Sequence, residues 1–176
     1  MALRKSVFVT VGTTRFDALI RALDQPQTVL VLTAKGFDSL VLQIGTGRHT
    51  PSIICPEGQC SHTHANGFEV VWFRHAPSLK DHMKAALLII SHAGSGSLFE
   101  ALQLQKPIIA VPNAILMANH QAELADHLAS LGFLIASAPD NLLDSLQSMQ
   151  LDVLQSYEPG DASQIVCAID HLMGFR

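Results

Sequence analysis

Charged residues are scarce in this sequence of 176 residues: only 15% are Asp, Glu, Lys or Arg, whereas 48% are hydrophobic. A chain with so few charges and so many apolar side chains can bury a core, which excludes an intrinsically disordered protein. Positive charge is not in excess either, since the formal net charge is −4. This balance gives no reason to expect nucleic acid or an anionic membrane surface as a general partner.

Long apolar runs and paired cysteines are also missing. No hydrophobic stretch approaches the roughly 20 residues that a membrane-spanning helix needs. Arg4 and Lys5 lead straight into a predicted strand, Ser6–Val11, instead of the long apolar core of a signal peptide. The three cysteines are an odd number, which argues for a reducing compartment. We therefore expect a soluble, cytoplasmic chain whose residues 1–176 form one domain, because this length holds one core and not two.

A turn of small residues follows the most apolar segment of the chain. Ala85–Ile90 is typical of a buried parallel strand, and Ser91-His92-Ala93-Gly94-Ser95-Gly96-Ser97 comes directly after it. Strong helix formers follow from Leu98 to Gln105, with Ser97 placed as the N-cap. Backbone N–H groups in such a turn can approach an anion, and the helix start adds partial positive charge. We predict a phosphate cradle; the alternative is a plain glycine-rich turn of an α/β fold.

Two further polar segments also follow predicted strands. The first strand ends at Gly12-Thr13-Thr14, which offers hydroxyl and N–H groups but lacks the Gly-Lys-Ser/Thr ending of a Walker loop. The apolar strand Pro107–Pro112 precedes Asn119-His120-Gln121, which opens another helix. Five or six strands alternating with helices predict an α/β fold with a doubly wound, Rossmann-like parallel sheet. Because ligands bind at the carboxyl ends of such strands, we expect all three polar segments at one edge.

Residues 45–66 are rich in Gly, Pro, Thr and His and are predicted to form a loop. The loop contains Cys55, Cys60, His62 and His64, a grouping that could suggest zinc. Structural zinc sites usually have two ligand pairs separated by a longer spacer, so we interpret this segment as an exposed polar loop. The remaining predicted elements are a helix over Phe16–Leu23, strands over Ser39–Ile44 and Gly67–Phe73, a helix over Leu79–Lys84, a strand over Phe133–Ser137, and helices over Asn119–Leu131, Asn141–Met149 and Ala162–Met173.

The order of the motifs resembles the donor-binding half of GT-B glycosyltransferases, of the family 28 C-terminal type. The matching residues are His-Ala-Gly-x-Gly-Ser at 92–97, Glu100, Lys106-Pro107, Val111-Pro112 and Asn119-His120-Gln121. The opening Val7–Asp17 is similar to the start of the cytosolic subunits of two-subunit N-acetylglucosaminyldiphosphodolichol N-acetylglucosaminyltransferases. The resemblance implies UDP-N-acetylglucosamine as the donor and requires neither a metal nor a cofactor. It also places a helix before Gly36, although Thr28–Thr33 taken alone favours a strand.

The resemblance assigns the nucleotide end of the donor to two of the turns. Gly94, Ser95, Gly96 and Ser97 would hold the diphosphate, with help from Thr13 in the turn Gly12–Thr14. Glu100, about one helical turn further on, would accept hydrogen bonds from both ribose hydroxyls. His75 and Ala76 occupy the position of a uracil-binding segment, and a simple connecting loop is the alternative there.

The other end of the donor would meet the third segment. Asn119, His120 and Gln121 would bind the sugar hydroxyls, and Gln121 matches the glutamine of the family that contacts the sugar. His92 and His120 have the chemistry of a general base, but each could equally serve a structural or sugar-binding role. The base is therefore left unassigned.

This chain has room for one half of a GT-B enzyme, so the resemblance implies a partner. A membrane-anchored subunit would supply the acceptor half and the dolichol-diphosphate-linked N-acetylglucosamine, at the cytosolic face of the endoplasmic reticulum. Two other functions stay open: a non-catalytic sugar-nucleotide sensor or scaffold, and a dinucleotide-dependent oxidoreductase. The oxidoreductase is disfavoured because the third glycine of its fingerprint is missing and no Asp or Glu lies between residues 101 and 122.

Overall fold

The computed structural model describes residues 4–113, 119–158 and 160, in which strands alternate with helices. The strands are β1 Ser6–Thr10, β2 Ser39–Gln43, β3 Ser61–Thr63, β4 Glu69–Phe73, β5 Ala86–Ser91, β6 Ile108–Ala110 and β7 Ile135–Ala136. The helices are α1 Asp17–Leu23, α2 Pro26–Ala34, α3 Lys80–Ala85, α4 Ser95–Gln103, α5 Asn119–Ser130 and α6 Leu142–Ser148, with a 3₁₀ turn at Pro139–Asn141 before α6. Among these residues, no helix has the length and apolar content needed to cross a membrane.

The strands form one sheet in the order β3-β4-β2-β1-β5-β6-β7. Val7 in the central strand β1 pairs in parallel with Leu40 of β2 on one side and with Leu88 of β5 on the other. The chain fills the sheet outward from β1 to β2 and β4, then crosses to β5, β6 and β7. The predicted doubly wound parallel sheet is confirmed, and its strand order reverses between β1 and β5.

The two faces of the sheet carry separate hydrophobic layers. Val7 and Val9 belong to the layer that contains apolar residues of α1, α2 and α6. Phe8, which points to the opposite face, belongs to the layer with α3, α4 and α5. Because β1 and β5 are covered on both faces, their sequences are almost continuously apolar.

Strand β3 corrects the prediction that residues 45–66 form a loop throughout. Ser61–Thr63 pairs antiparallel with β4 at the edge of the sheet. A tight reversal makes this possible: Gly67 has a φ of +85° and donates its N–H to His64 O at 2.9 Å. Three polar residues carry no hydrophobic alternation, so only the exposed edge of β4 makes them a strand.

Helix α2 confirms the helix that the family resemblance predicted before Gly36, although the local sequence favours a strand. Pro26 stands at the first helical turn, and Thr28, Val29 and Leu32 are buried against the sheet. A proline at the helix start is already shaped for the helix, and packing outweighs the β-branched composition.

Helix α4 begins three residues before its predicted start at Leu98. Gly94, with an extended ψ of 130°, is the N-cap, and Leu98 N donates to Gly94 O at 3.0 Å to close the first turn. Ser97 therefore lies inside the helix, and its prediction as the N-cap is wrong. The other predicted elements agree to within two residues at each end, and the predicted helix Ala162–Met173 lies outside the described residues.

Candidate functional site

The turns that follow β1 and β5 leave the sheet side by side at its carboxyl edge. Thr10 and Ser91, the last residues of the two strands, are partners in the parallel register. From there the chain continues into α1 on one face of the sheet and into α4 on the other. A crevice opens where the strand order reverses in this way, and it is the usual ligand site of an open α/β sheet.

The first of these turns contains Gly12, Thr13 and Thr14. Gly12 has a φ of +64°, which favours glycine, and its N–H donates to Thr10 Oγ1 at 3.1 Å. The Thr14 hydroxyl donates to Val11 O at 2.7 Å, so it helps to shape the turn. Thr13 is exposed, whereas Gly12 and Thr14 are half-buried. Thr13 is thus the member of the turn that is best placed to meet a ligand.

The second turn leads into the N-terminus of α4. Ser95 and Gly96 are exposed there, and Ser97 and Glu100 are half-buried. The first N–H groups of a helix have no partner within it and carry partial positive charge. Ala93, in the turn itself, has a φ of 63°, a left-handed conformation that non-glycine residues adopt at a cost. Backbone strain of this kind concentrates at functional sites.

His92 fills the space between the two turns. The imidazole is 6% exposed, and its Nδ1 lies 3.3 Å from Thr10 O. A Cβ atom added to Gly94 would lie 2.4 Å from Nε2, and one added to Gly12 would lie 2.7 Å from Cε1. Burial lowers the pKa of His92 below its ordinary value, and the hydrogen bond to the Thr10 carbonyl offsets this only in part. A neutral ring held in this way braces one turn against the other, and its role as a base stays a prediction.

Asp17, the first residue of α1, fastens the segment after β2 to the chain that follows the first turn. This buried carboxylate accepts hydrogen bonds from Arg48 N at 2.7 Å and His49 N at 3.0 Å, and it pairs with Arg15 Nε at 2.6 Å. Burial by itself raises the pKa of Asp17, but the hydrogen bonds from these groups and the charge of Arg15 outweigh it and lower the pKa. The loops after β1 and β2 therefore hold a fixed relation.

The segment after β4 contains the predicted uracil-binding residues. His75 is exposed and Ala76 is half-buried. Arg74, just before them, donates from Nη1 to Gly47 O at 2.7 Å and to Gly45 O at 3.3 Å. This places His75 and Ala76 at the same edge of the sheet as the two turns.

The third predicted segment opens α5. His120 is 93% exposed and lies 3.8 Å from Glu123. Gln121 is half-buried, and its Oε1 is buried without a partner in the described part of the chain. α5 follows β6, so its start lies at the carboxyl edge by the topology of the fold. Only the backbone of Asn119 is described, and its predicted role stays a prediction.

Two buried residues at this edge were missed by the sequence analysis. Asn113 donates from Nδ2 to Arg15 O at 2.9 Å and so links the end of β6 to the turn after β1. Gln43, the last residue of β2, forms hydrogen bonds with two further segments, Thr10–Gly12 and Arg74. No local pattern marks either residue, because their partners are distant in the sequence.

Three residues of the Cys/His grouping, Cys55, His62 and His64, contact residues of their own region. Cys55 is buried and donates to Gln59 O at 3.4 Å, whereas Cys60 is exposed. His64 Nε2 lies 2.9 Å from Ile54 O, and its ring meets that of His62 edge-on at 4.7 Å. Within residues 4–113, 119–158 and 160, no three His, Cys, Asp or Glu side chains form a group able to hold a metal ion.

The model of the glycosyltransferase family 28 C-terminal domain matches residues 6–172, almost the whole chain. The chain belongs to this family. Its sequence is 39% identical over 157 residues to the human UDP-N-acetylglucosamine transferase subunit ALG13, covering 80% of this chain and 13% of the human protein. It is 34% identical over 143 residues to the ALG13 subunit of Yarrowia lipolytica, covering 81% of this chain and 69% of that protein.

Solved structures of glycosyltransferases share the fold of this family 28 domain. The NMR structure of ALG13 superimposes with a TM-score of 0.67 at 26% identity, covering 94% of each chain. MurG of Acinetobacter baumannii superimposes with a TM-score of 0.64 at 16% identity, covering 97% of this chain and 51% of MurG, a likeness that shows the fold alone. The chain spans only 13% and 10% of the human and mouse relatives it matches.

Proposed function

We propose that this family 28 domain is the donor-binding subunit of a UDP-N-acetylglucosamine transferase. The observation that carries the proposal is the adjacency of the turns after β1 and β5, braced by His92, at the point where the strand order reverses. The ALG13 relatives, which are named as UDP-N-acetylglucosamine transferase subunits, supply the identity of the donor.

The diphosphate of the donor binds at the N-terminus of α4. Gly94, Ser95, Gly96 and Ser97 present backbone N–H groups there, and Thr13 approaches from the other turn. These dipoles stabilise the negative charge that develops on the leaving diphosphate as the glycosidic bond breaks. Because the dipoles are already oriented, little reorganisation is needed during the reaction.

Two side chains orient the rest of the donor. Glu100 accepts hydrogen bonds from the ribose hydroxyls, since it lies in the second turn of α4 and is half-buried. Gln121 binds the sugar hydroxyls; its Oε1 has no hydrogen-bond partner among the described residues, which leaves this amide without a structural role there. Asn119 and His120 assist from the same helix start.

A second polypeptide completes the enzyme. GT-B glycosyltransferases close two Rossmann-like halves over their substrates, and the described residues form one such half. The acceptor half, with the general base, comes from a membrane-anchored subunit at the cytosolic face of the endoplasmic reticulum. The acceptor is dolichol-diphosphate-linked N-acetylglucosamine, to which the enzyme adds the second N-acetylglucosamine in the precursor for protein N-glycosylation.

Calorimetry with UDP-N-acetylglucosamine tests the donor site. Glu100→Ala should weaken binding by about 1–3 kcal/mol, because the ribose hydroxyls lose a charged acceptor. Gln103→Ala is the matched control, since Gln103 is exposed at the far end of the same helix. Equal affinities for the wild type and Glu100→Ala would remove Glu100 from the site.

An activity assay tests the need for a partner. The chain is pulled down from cells and incubated with UDP-N-acetylglucosamine and a lipid-diphosphate N-acetylglucosamine acceptor. We expect turnover from the co-purified complex and little or none from the chain alone. Robust turnover by the chain alone would contradict a divided enzyme, and donor binding without turnover in any fraction would favour a sugar-nucleotide sensor.

A further inference from the structure

Gln43 makes more contacts between segments than its place at the end of an apolar strand suggests. Its side chain is 2% exposed. The Oε1 atom accepts hydrogen bonds from Thr10 Oγ1 at 2.8 Å and Val11 N at 3.1 Å. The Nε2 atom donates to Gly12 O at 2.8 Å and to Arg74 O at 2.7 Å. Both donor positions and both acceptor positions of the amide are therefore occupied.

These hydrogen bonds join the two segments that flank β2. Strand β2 lies between β1 and β4. On one side Gln43 holds Gly12, which opens the turn predicted to meet the diphosphate. On the other side it holds the carbonyl of Arg74, which precedes His75 and Ala76. A single planar amide thus fixes the separation of two segments that lie about thirty residues away from it on either side.

We propose that Gln43 is a positioning residue for the nucleotide, an inference that rests on the proposed function. It couples the turn Gly12–Thr14 to the segment Arg74–Ala76, so that the phosphate end and the base end of UDP meet a site of fixed length. Prearranged loops bind more tightly because less conformational freedom is lost when the ligand arrives. Gln43 does not touch the donor; it acts through the two backbone segments.

The presence of a buried amide at position 43 is consistent with a role in coupling the two segments. Burying an amide is costly unless all of its hydrogen bonds are made, and an apolar side chain would avoid that cost. Without Gln43 Nε2, the Arg74 carbonyl keeps a second hydrogen bond, from Gly45 N at 3.2 Å. The segment after β4 would thus stay in place locally but lose its direct link to Gly12, which separates positioning from general folding.

The test compares Gln43→Leu and Gln43→Glu with a control that weakens a different buried contact. Asp24→Asn is that control, because the Asp24 carboxylate contacts the backbone N–H groups of residues 52–54 and His49 Nε2, and its hydrogen bonds do not include Gly12 or Arg74. Affinity for UDP-N-acetylglucosamine is measured by calorimetry well below each melting midpoint. We expect both Gln43 variants to bind roughly tenfold more weakly than the wild type. The control should melt at a lower temperature and bind the donor about as well as the wild type.

Gln43→Glu adds a readout that a purely structural role would not move. The introduced carboxylate can still accept from Thr10 and Val11 but cannot donate to Gly12 O or Arg74 O. At low pH it becomes protonated and regains one donor, so the affinity ratio of variant to wild type should recover as the pH falls. This variant also decides the matter if Gln43→Leu does not fold, since the protonated side chain closely matches glutamine in shape.

The outcomes separate this inference from the proposed function. If a folded Gln43 variant binds UDP-N-acetylglucosamine as tightly as the wild type, the positioning role is overturned and the proposed function is not. Weaker binding by Asp24→Asn to the same degree would also overturn it, because any loss of stability would then suffice. A wild-type chain that binds no UDP sugar would remove the proposed function and this inference together.

Discussion

Gly94→Ala should destabilise the protein through a clash with His92. The φ of Gly94 is −65°, which alanine adopts freely, so backbone conformation is not the cause. The added Cβ would lie 2.4 Å from Nε2 of His92 and 2.9 Å from Cε1. The ring cannot step aside easily, because Nδ1 faces Thr10 O and the ring also packs against Gly12.

The magnitude follows from overpacking a buried site. Such insertions cost about 1–3 kcal/mol. Alanine is also a poorer N-cap than glycine, which adds a smaller loss of the same sign. In a domain of this size each kcal/mol shifts the melting midpoint by about 2–4 °C. We therefore expect the midpoint of Gly94→Ala to fall by roughly 2–12 °C.

Gly96→Ala, two residues further on, is the matched control. A Cβ atom at Gly96 meets nothing within 4 Å apart from neighbouring residues of its own helix, and glycine-to-alanine changes at positions of compatible backbone conformation stabilise by about 0.4–1 kcal/mol. Thermal unfolding followed by circular dichroism should thus show opposite shifts for the two variants. In the His92→Ala background, Gly94→Ala should lose most of its cost. A midpoint for Gly94→Ala equal to or above that of the wild type would refute the brace.

Two predictions concern pH. Because burial lowers the pKa of His92 below its ordinary 6.5, the stability that neutral His92 provides is complete above pH 6.5 and is lost as the pH falls below it. An NMR titration should show a pKa below 6.5 and the proton on Nδ1. A pKa at or above 6.5 would contradict the burial argument. Because the pKa of Asp17 lies below 3.8, its stabilisation is present above pH 3.8 and is lost as the pH falls through the folded-state pKa. Denaturant unfolding of the wild type and Asp17→Asn should converge in that acidic range, and a pH-independent difference would count against the hydrogen bonds to Arg48 and His49.

Strands buried on both faces were predictable because their own residues carry the signal. Ala85–Ile90 is apolar at every position, and the structure places β5 at Ala86–Ser91. Strand β3 carries no such signal, since Ser61–Thr63 is polar and depends on the edge of β4. In helix α2 the local sequence gives the wrong prediction, because its β-branched residues favour a strand. Pro26 at the helix start and packing against the sheet stabilise the helix instead.

Some residues of the candidate site could be predicted from local sequence patterns and others could not. The turns at Gly12 and Gly94 could be found from the sequence because small residues between a strand and a helix are a local pattern. The start of α4 was misplaced because Gly94, Ser95 and Ser97 are all acceptable N-caps, and only the backbone geometry separates them. Gln43 could not be found, since its partners Gly12 and Arg74 are both 31 residues away and no spacing rule connects them.

Four of the buried polar side chains lie at the proposed donor site, whereas others such as Asp24, Thr28 and Ser39 are buried elsewhere in the fold. Thr10, Gln43, His92 and Asn113 are each at most 6% exposed, and all of them contact turns at the carboxyl edge of the sheet. Polar groups are costly to bury, and proteins depart from an apolar core chiefly where function requires it. Every one of these contacts is made within this chain. Under the proposed function, these contacts would form the donor cradle without the partner subunit, and we expect that subunit to change turnover far more than affinity for the UDP sugar.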